Sequence, residues 1–263
     1  LFRQTGVIRA QTFADLLDIP AALATGRQLR GNRVAILTST GGAGTLVSDS
    51  LGVPGFETPA PDAATAAALR ALQTGDHAAL DRNPIDVTLA GLQPDLLRGA
   101  IKTLLASPSY DALTIIVGSS SLAMPELMAG AIQDCLPLSD KPVLAYVSPH
   151  APHVGALLTQ RGVPAFAAAE SCTAALQGML HAARWQSQPV PSDLGTPISV
   201  QDLPTGSLNE AQAKQLFSRF GVPCAREQIV TTPEEAKAAA LELGNRVVLK
   251  ILSSEITHKS DVG

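Results

Sequence analysis

Three aliphatic runs constrain this chain more than any other feature: Val34–Leu37, Ala112–Val117 and Val143–Val147. Each is short and almost continuously apolar, the pattern of a strand buried on both faces, whereas a half-exposed strand alternates apolar with polar residues. Longer stretches with helical spacing separate them, near residues 42–51, 62–73, 93–106, 124–136, 151–161 and 170–186, and Pro164–Phe166 is a further short strand candidate. Strands of this kind alternating with amphipathic helices predict a parallel sheet covered on both sides, a doubly wound α/β domain over residues 31–186. Aromatic residues make up only 3% of the 263, so the core has to be built from Ala, Leu, Val and Ile.

The remaining sequence divides around that domain. Residues 1–30 read as the end of a helix, a short strand Gly6–Ala10 and a helix from about Thr12 to Ala24, with Thr12 and Asp15 at capping-box-like spacing. One strand and one helix cannot bury a core, so this piece is expected to close an upstream domain. From Gln188 to Ser207 four prolines interrupt a polar stretch without periodicity, which predicts a linker over 187–207. Beyond it, 208–220 reads as an amphipathic helix stopped by Gly221-Val-Pro223, followed by a strand at Glu227–Val230, a helix near 233–243 and a strand at Arg246–Ile251.

Charge and cysteine usage narrow the function classes. A formal net charge of −4, no Lys/Arg run and few aromatics argue against nucleic-acid binding. Cys135, Cys172 and Cys224 are odd in number and far apart, fitting neither a disulfide framework nor a zinc spacing, and a cytoplasmic location is expected. No apolar run approaches the roughly 20 residues of a membrane span.

Several segments could carry chemistry. Thr38-Ser-Thr-Gly-Gly-Ala-Gly44 follows a strand and opens a helix, so Gly41, Gly42 and Gly44 would let an anion approach the helix N–H groups. The same small residues also suit a tight strand-to-helix turn with no ligand. Ser119, Ser120 and Ser121 follow Ile115–Val117 and offer hydroxyls at the carboxyl edge of the sheet, or caps for the next helix. Asn83-Pro-Ile-Asp86 holds an amide and a carboxylate in an extended turn, where Asn83 and Asp86 could equally serve the turn itself. His150 and His153 have no evident third ligand, and no metal site is expected from them.

The last segment is sharper. Lys250 ends an apolar strand, an odd position for a solvated cation unless a nucleotide phosphate lies opposite, although a snorkelling lysine accounts for it too. His258, with an imidazole that is neutral for much of the time near neutral pH, could act as a nucleophile, with Lys259, Ser260 and Asp261 steadying a phosphoryl group or orienting the ring, although a histidine beside a lysine is more often part of an ordinary surface loop.

Taken in order, Phe2–Arg9, Gly31–Gly44, Asn83–Asp86, Leu208–Lys214, Gly221–Pro223, Val247–Lys250 and His258–Gly263 resemble the NDP-forming acyl-CoA synthetases, the family of ADP-forming acetate–CoA ligase and succinyl-CoA synthetase. The resemblance implies that residues 1–30 end one ligase-like domain. It also implies that 31–186 form a flavodoxin-like, succinyl-CoA ligase-like domain and that 208–263 open a truncated ATP-grasp domain. It implies the reaction acyl-CoA + ADP + phosphate ⇌ carboxylate + CoA + ATP through acyl phosphate and phosphohistidine. ATP or ADP, CoA and Mg2+ would be bound by the full-length enzyme, a homo-oligomer. Lys250 and Lys259 would meet the nucleotide, and His258 would be a second phosphohistidine. Gly41, Gly42, Gly44, Ser119, Ser120, Ser121, Asn83 and Asp86 would support the phosphohistidine.

The family's principal phosphohistidine motif, its CoA-binding domain and the rest of its ATP-grasp fold are not in these residues. They are expected elsewhere in the same polypeptide or in another subunit, and the chain alone is expected to be inactive. Two other functions fit the same residues: a ligase-like regulatory region of a protein lysine acetyltransferase, and a non-catalytic flavodoxin-like binding module.

Overall fold

The computed structural model describes residues 2–72, 80–88, 93–119, 123–188, 198–244 and 246–253, with Arg3 described in its backbone only. Two compact units divide between Pro189 and Val190.

The first unit is built on five parallel strands. They are β1 (Val34–Thr38), β2 (Ile85–Asp86), β3 (Ala112–Val117), β4 (Val143–Val147) and β5 (Ala165–Phe166), in the spatial order β2-β1-β3-β4-β5. This is the flavodoxin-like order, in which the chain reverses direction across the sheet between β1 and β3. Every residue of β1, β3 and β4 is buried, as their unbroken aliphatic runs require. The expected helices form as α2 (Gly41–Gly52), α3 (Ala63–Ala71), α4 (Pro94–Ala106), α5 (Pro125–Gln133), α6 (Pro152–Gln160) and α7 (Ala169–Gln186).

Alternation along β3 separates two core layers. Leu113, Ile115 and Val117 face Leu69 of α3, Leu97, Ile101 and Leu104 of α4, and Ile132 of α5. Ala112 and Ile116 belong to the layer of Val47 and Leu51 from α2 and Cys172 and Leu176 from α7. By the same period Thr114 faces the second layer, fully buried, and its hydroxyl has no hydrogen-bond partner. Thr114→Val keeps the shape and removes the orphan hydroxyl, so thermal denaturation should show a gain of about 1 kcal/mol.

Residues 1–30, expected to close an upstream domain, belong to this first unit. Helix α1 (Asp15–Leu23) lies against α7 so closely that an ideal Cβ on Gly178 would stand 2.5 Å from Ile19 Cγ2. The Trp185 ring covers Gly6, and its indole N–H donates to the Gln4 carbonyl at 3.5 Å. The Arg27 guanidinium donates to the carbonyls of Leu136 (2.7 Å), Lys141 (2.9 Å) and Ser139. The partners of this segment are more than a hundred residues away, which is why the segment reads in isolation as belonging to something else.

Gly178→Ala should cost about 1–3 kcal/mol by overpacking, and Ile19→Ala in the same protein should recover much of that loss. A double-mutant cycle followed by melting would show no coupling if α1 were merely resting on the surface.

The expected strand at Gly6–Ala10 is absent. A 3₁₀ turn at Phe2–Thr5 leads into chain with no ladder partner among the described residues. The Thr12–Asp15 pair does close the start of α1. The Asp15 N–H donates to Thr12 Oγ1 at 3.2 Å, and Asp15 Oδ2 accepts from the Thr12 N–H at 3.0 Å, so a carboxylate one methylene shorter than the usual Glu suffices.

The second unit contains α8 (Glu210–Arg219) and α9 (Pro233–Leu243), each opened by a capping box, Asn209 with Gln212 and Thr232 with Glu235. The strands expected at Glu227–Val230 and Arg246–Ile251 do not form among the described residues. A strand needs an edge to pair with, and none is described here: Val248 is 82% and Leu249 76% exposed, and Ala239 is the only buried apolar residue of the described portion of this unit. The latter half of the expected linker is tied down, since Arg219 donates to the Ser199 carbonyl and pairs with the Asp202 carboxylate, each at 2.7 Å.

Candidate functional site at the carboxyl edge of the sheet

The reversal between β1 and β3 makes the carboxyl ends of these strands the place where open α/β sheets take ligands. Three loops meet there. The first runs from Thr38 into α2. The Thr38 hydroxyl donates to the Thr40 carbonyl at 2.9 Å and accepts from the Thr40 N–H at 2.8 Å, which turns the chain sharply toward Gly41. Thr40 precedes the helix in extended conformation and its side chain makes no cap bond, so nothing from that residue covers the first-turn N–H groups. Gly41 and Gly42 are exposed.

The second loop carries Asn83 and Asp86. Asn83 does not face the chemistry of this edge. Its side-chain amide donates to the Val34 carbonyl at 2.8 Å, and its oxygen accepts from the Ile36 N–H at 3.0 Å. One side chain thereby mimics a neighbouring strand and extends the edge of β1 where β2 has not yet begun. Asn83 and Pro84 are joined by a cis peptide bond. Asp86 ends β2 opposite Thr38 in the parallel register. Its Oδ1 accepts from the Thr88 N–H at 2.8 Å, and its Oδ2 lies 3.7 Å from where a Cβ on Gly41 would be. Thr88 takes a φ of +56°, a conformation β-branched residues rarely adopt.

The third loop leaves β3 at Gly118. A Cβ on Gly118 would fall 2.4 Å from Thr40 Oγ1, so only glycine lets this loop and the first one touch. Gly44 permits close packing within the first turn of α2, where a Cβ would stand 3.1 Å from Pro84 Cβ and 3.2 Å from Thr38 Cγ2. Gly41, Gly42, Gly44, Asp86 and Gly118 are therefore gathered from three loops, with exposed Ser119 at the rim.

Of the other expected site residues, Ser120, Ser121, His258 and Lys259 lie outside the described residues. Lys250 belongs to the second unit, where its ammonium donates to Glu210 Oε1 at 3.0 Å and its side chain is 54% exposed. Glu210 also pairs with Lys214 at 3.1 Å. His150 and His153 are both exposed, and among the described residues no three His, Cys, Asp or Glu side chains converge. Burial pushes the Cys135 and Cys172 thiols up, away from the reactive thiolate.

Sequence reasoning missed the contribution of Gly118 and Thr40, whose contact depends on strand order. It also missed the structural duty of Asn83, which could have been suspected only from a proline following an amide at a sheet edge.

Known proteins resemble parts of this chain. The ATP-grasp domain family profile matches residues 200–263. The alpha subunit of the ADP-forming acetate–CoA ligase II of Pyrococcus furiosus is 30% identical over 192 residues, covering 70% of this chain and 40% of that subunit. The beta subunit of the same enzyme is 40% identical over 52 residues, 20% of this chain and 22% of that subunit. Among solved structures, the dinucleotide forming acetyl-coenzyme A synthetase 1 of Candidatus Korarchaeum cryptofilum, in complex with phosphate and ADP, superposes with a TM-score of 0.62 at 25% identity. The match covers 71% of this chain and 40% of that one. The chain thus spans about two-fifths of the length of these larger relatives, and it resembles part of each of two Pyrococcus furiosus subunits.

Proposed function

We propose that this chain, which belongs to the NDP-forming acyl-CoA synthetase family, is the portion of an ADP-forming acid–CoA ligase that receives a phosphoryl group and passes it toward a nucleotide. The observation that carries the reading is the close approach of Gly118 to Thr40 and of Asp86 to Gly41 at the reversal point of the sheet. These approaches set the uncapped start of α2 where a ligand can reach it.

In the proposed reaction, acyl-CoA and phosphate give acyl phosphate and CoA. The phosphoryl group then moves to an imidazole and from there to ADP, leaving carboxylate and ATP. The work of this chain is electrostatic. Oriented N–H groups at the start of α2 are fixed before any charge arrives, so they stabilise a phosphoryl group without reorganising. Gly41 and Gly42 keep the approach clear of side chains.

On the second unit, Lys250 is proposed to meet the nucleotide phosphates, exchanging its bond with Glu210 for one with the ligand. The assignments of His258 as a relay imidazole and Lys259 as a supporting cation rest on the resemblance of His258–Gly263 to the family. The described residues do not provide a converged set for Mg2+, and none is assigned to it.

The test is to supply the longer gene product with ADP, phosphate and a panel of acyl-CoA thioesters, reading CoA release, ATP formation and acid-labile histidine phosphorylation together. ATP formation from at least one thioester is expected, and none from the 263-residue chain alone. Binding of acetyl-CoA with no ATP formed from any thioester would overturn the ligase reading in favour of a regulatory one.

A further inference from the structure

At the amino edge of the sheet, opposite the three loops, the first unit holds a cavity of about 440 Å³, a volume typical of small-molecule sites. One wall is the segment that follows α2. Asn32 Nδ2 donates to the Gly55 carbonyl at 3.1 Å, and the Gly55 N–H donates to the Gly52 carbonyl at 3.1 Å, which fixes the chain before Phe56. The other wall is the C-terminal half of α7, where Gln177, His181 and Arg184 follow at spacings of four and three and so share one helix face. Trp185 stands beside them, its ring held by Gly6 and the Gln4 carbonyl. Two groups on this face lack a partner. His181 Nε2 is buried and makes no hydrogen bond among the described residues. The Arg184 guanidinium pairs with no carboxylate among them, whereas those of Arg33, Arg98, Arg161 and Arg219 each hold one. No described Asp or Glu lines the cavity, and Phe56, Leu180 and the Trp185 ring make its apolar part.

We propose that this cavity binds a small aromatic carboxylate, its carboxylate on Arg184 and His181 and its ring against Phe56 and Trp185. One ligand group then meets both unpartnered side chains, since a carboxylate accepts from the guanidinium and from an imidazole Nε2–H. His181 Nε2 lies under the surface, and it comes within reach when the exposed Gln177 side chain, one helical turn away, swings aside. Arg184 stands in the last turn of α7, so an entering anion meets a cation ahead of the helix's terminal carbonyls. Inorganic phosphate would satisfy the cation and leave the apolar wall bare, and a neutral ring would do the reverse. No residue of the three carboxyl-edge loops lines this cavity, so the inference stands independently of the ligase reading.

Trp185 is the only tryptophan of the chain, so its fluorescence reports on this cavity directly. The 263-residue protein is titrated with sodium benzoate and, in parallel, with neutral benzamide and with sodium chloride. Benzoate is expected to give a saturable change with half-saturation at or below about 1 mM, and to raise the melting temperature over the same range. Benzamide and chloride should each need at least about 10-fold more, because neither combines charge with a ring. Arg184→Gln, at an exposed position that the fold does not depend on, should weaken benzoate at least about 10-fold, and His181→Leu at least about 3-fold. On saturation the His181 Nε2 resonance should shift in the wild-type protein. No saturable change up to about 20 mM benzoate, an equal response to benzamide, or benzoate binding unaltered in Arg184→Gln would each overturn the proposal.

Discussion

Gly42→Asp is expected to reduce ATP formation by the longer gene product at least about 100-fold while leaving the melting temperature of the first unit unchanged or slightly higher. The two halves of this expectation have separate causes. A Cβ on Gly42 would meet no atom within 4 Å, so the fold has room for the new side chain. Glycine is also a poor helix former, and a carboxylate in the first turn interacts favourably with the helix dipole, by about 0.3–1 kcal/mol.

The same carboxylate would stand where the proposed phosphoryl group collects its N–H donors. Two unit charges about 4 Å apart at an effective dielectric near 20 repel by about 4 kcal/mol, nearly three powers of ten in rate. Gly42→Asn, of equal size and no charge, is the control and should lose less than about 10-fold. Equal losses in Asp and Asn would point to a steric effect. No loss in either would remove the start of α2 from the phosphoryl path.

Asn83 should be a sensitive position for stability, although its side chain is polar and sits at a sheet edge. Asn83→Ala leaves the Ile36 N–H and the Val34 carbonyl of β1 without their partners, and each unsatisfied buried group costs about 1–3 kcal/mol. A total near 2–4 kcal/mol is expected, which for a unit of this size lowers the melting temperature by about 5–15 °C. Asn83→Asp should be no better. It keeps an acceptor for the Ile36 N–H but sets a second oxygen against the Val34 carbonyl, replacing a bond with a repulsion. Hydrogen exchange at Ile36 gives a local check, since its amide should lose protection in both variants more than amides of β4 do. A melting shift under about 2 °C in Asn83→Ala would mean that water replaces the side chain, and that this edge of β1 is wetter than its packing implies.

These two positions differ in how visible they were beforehand. Gly42 stands in Thr38–Gly44, a small-residue segment between a strand and a helix, and its chemistry follows from that local order. Asn83 stands in a segment that reads as a turn with an amide and a carboxylate, either of which could have been the working group. Only the sheet distinguishes them, by giving Asn83 to the β1 edge and leaving Asp86 at the carboxyl edge. Gly118 behaves in the same way. It reads as an ordinary residue after a strand until β1 and β3 become neighbours and Thr40 arrives 2.4 Å from where its Cβ would be.

What the amino-acid sequence determined by itself was whatever depends on residues close together along the chain. The buried strands Val34–Thr38, Ala112–Val117 and Val143–Val147, the helices between them and the capping boxes at Asn209 and Thr232 are set by local apolar period and local hydrogen bonding. The tertiary structure decided what depends on distant partners. It assigned residues 1–30 to the first unit through α7, made the two-residue strand Ile85–Asp86 by supplying β1 as its edge, and left 246–251 without a ladder partner among the described residues. The physical reason is the same in each case: a helix closes its hydrogen bonds within itself, whereas a strand or a packed face exists only when something remote in sequence completes it.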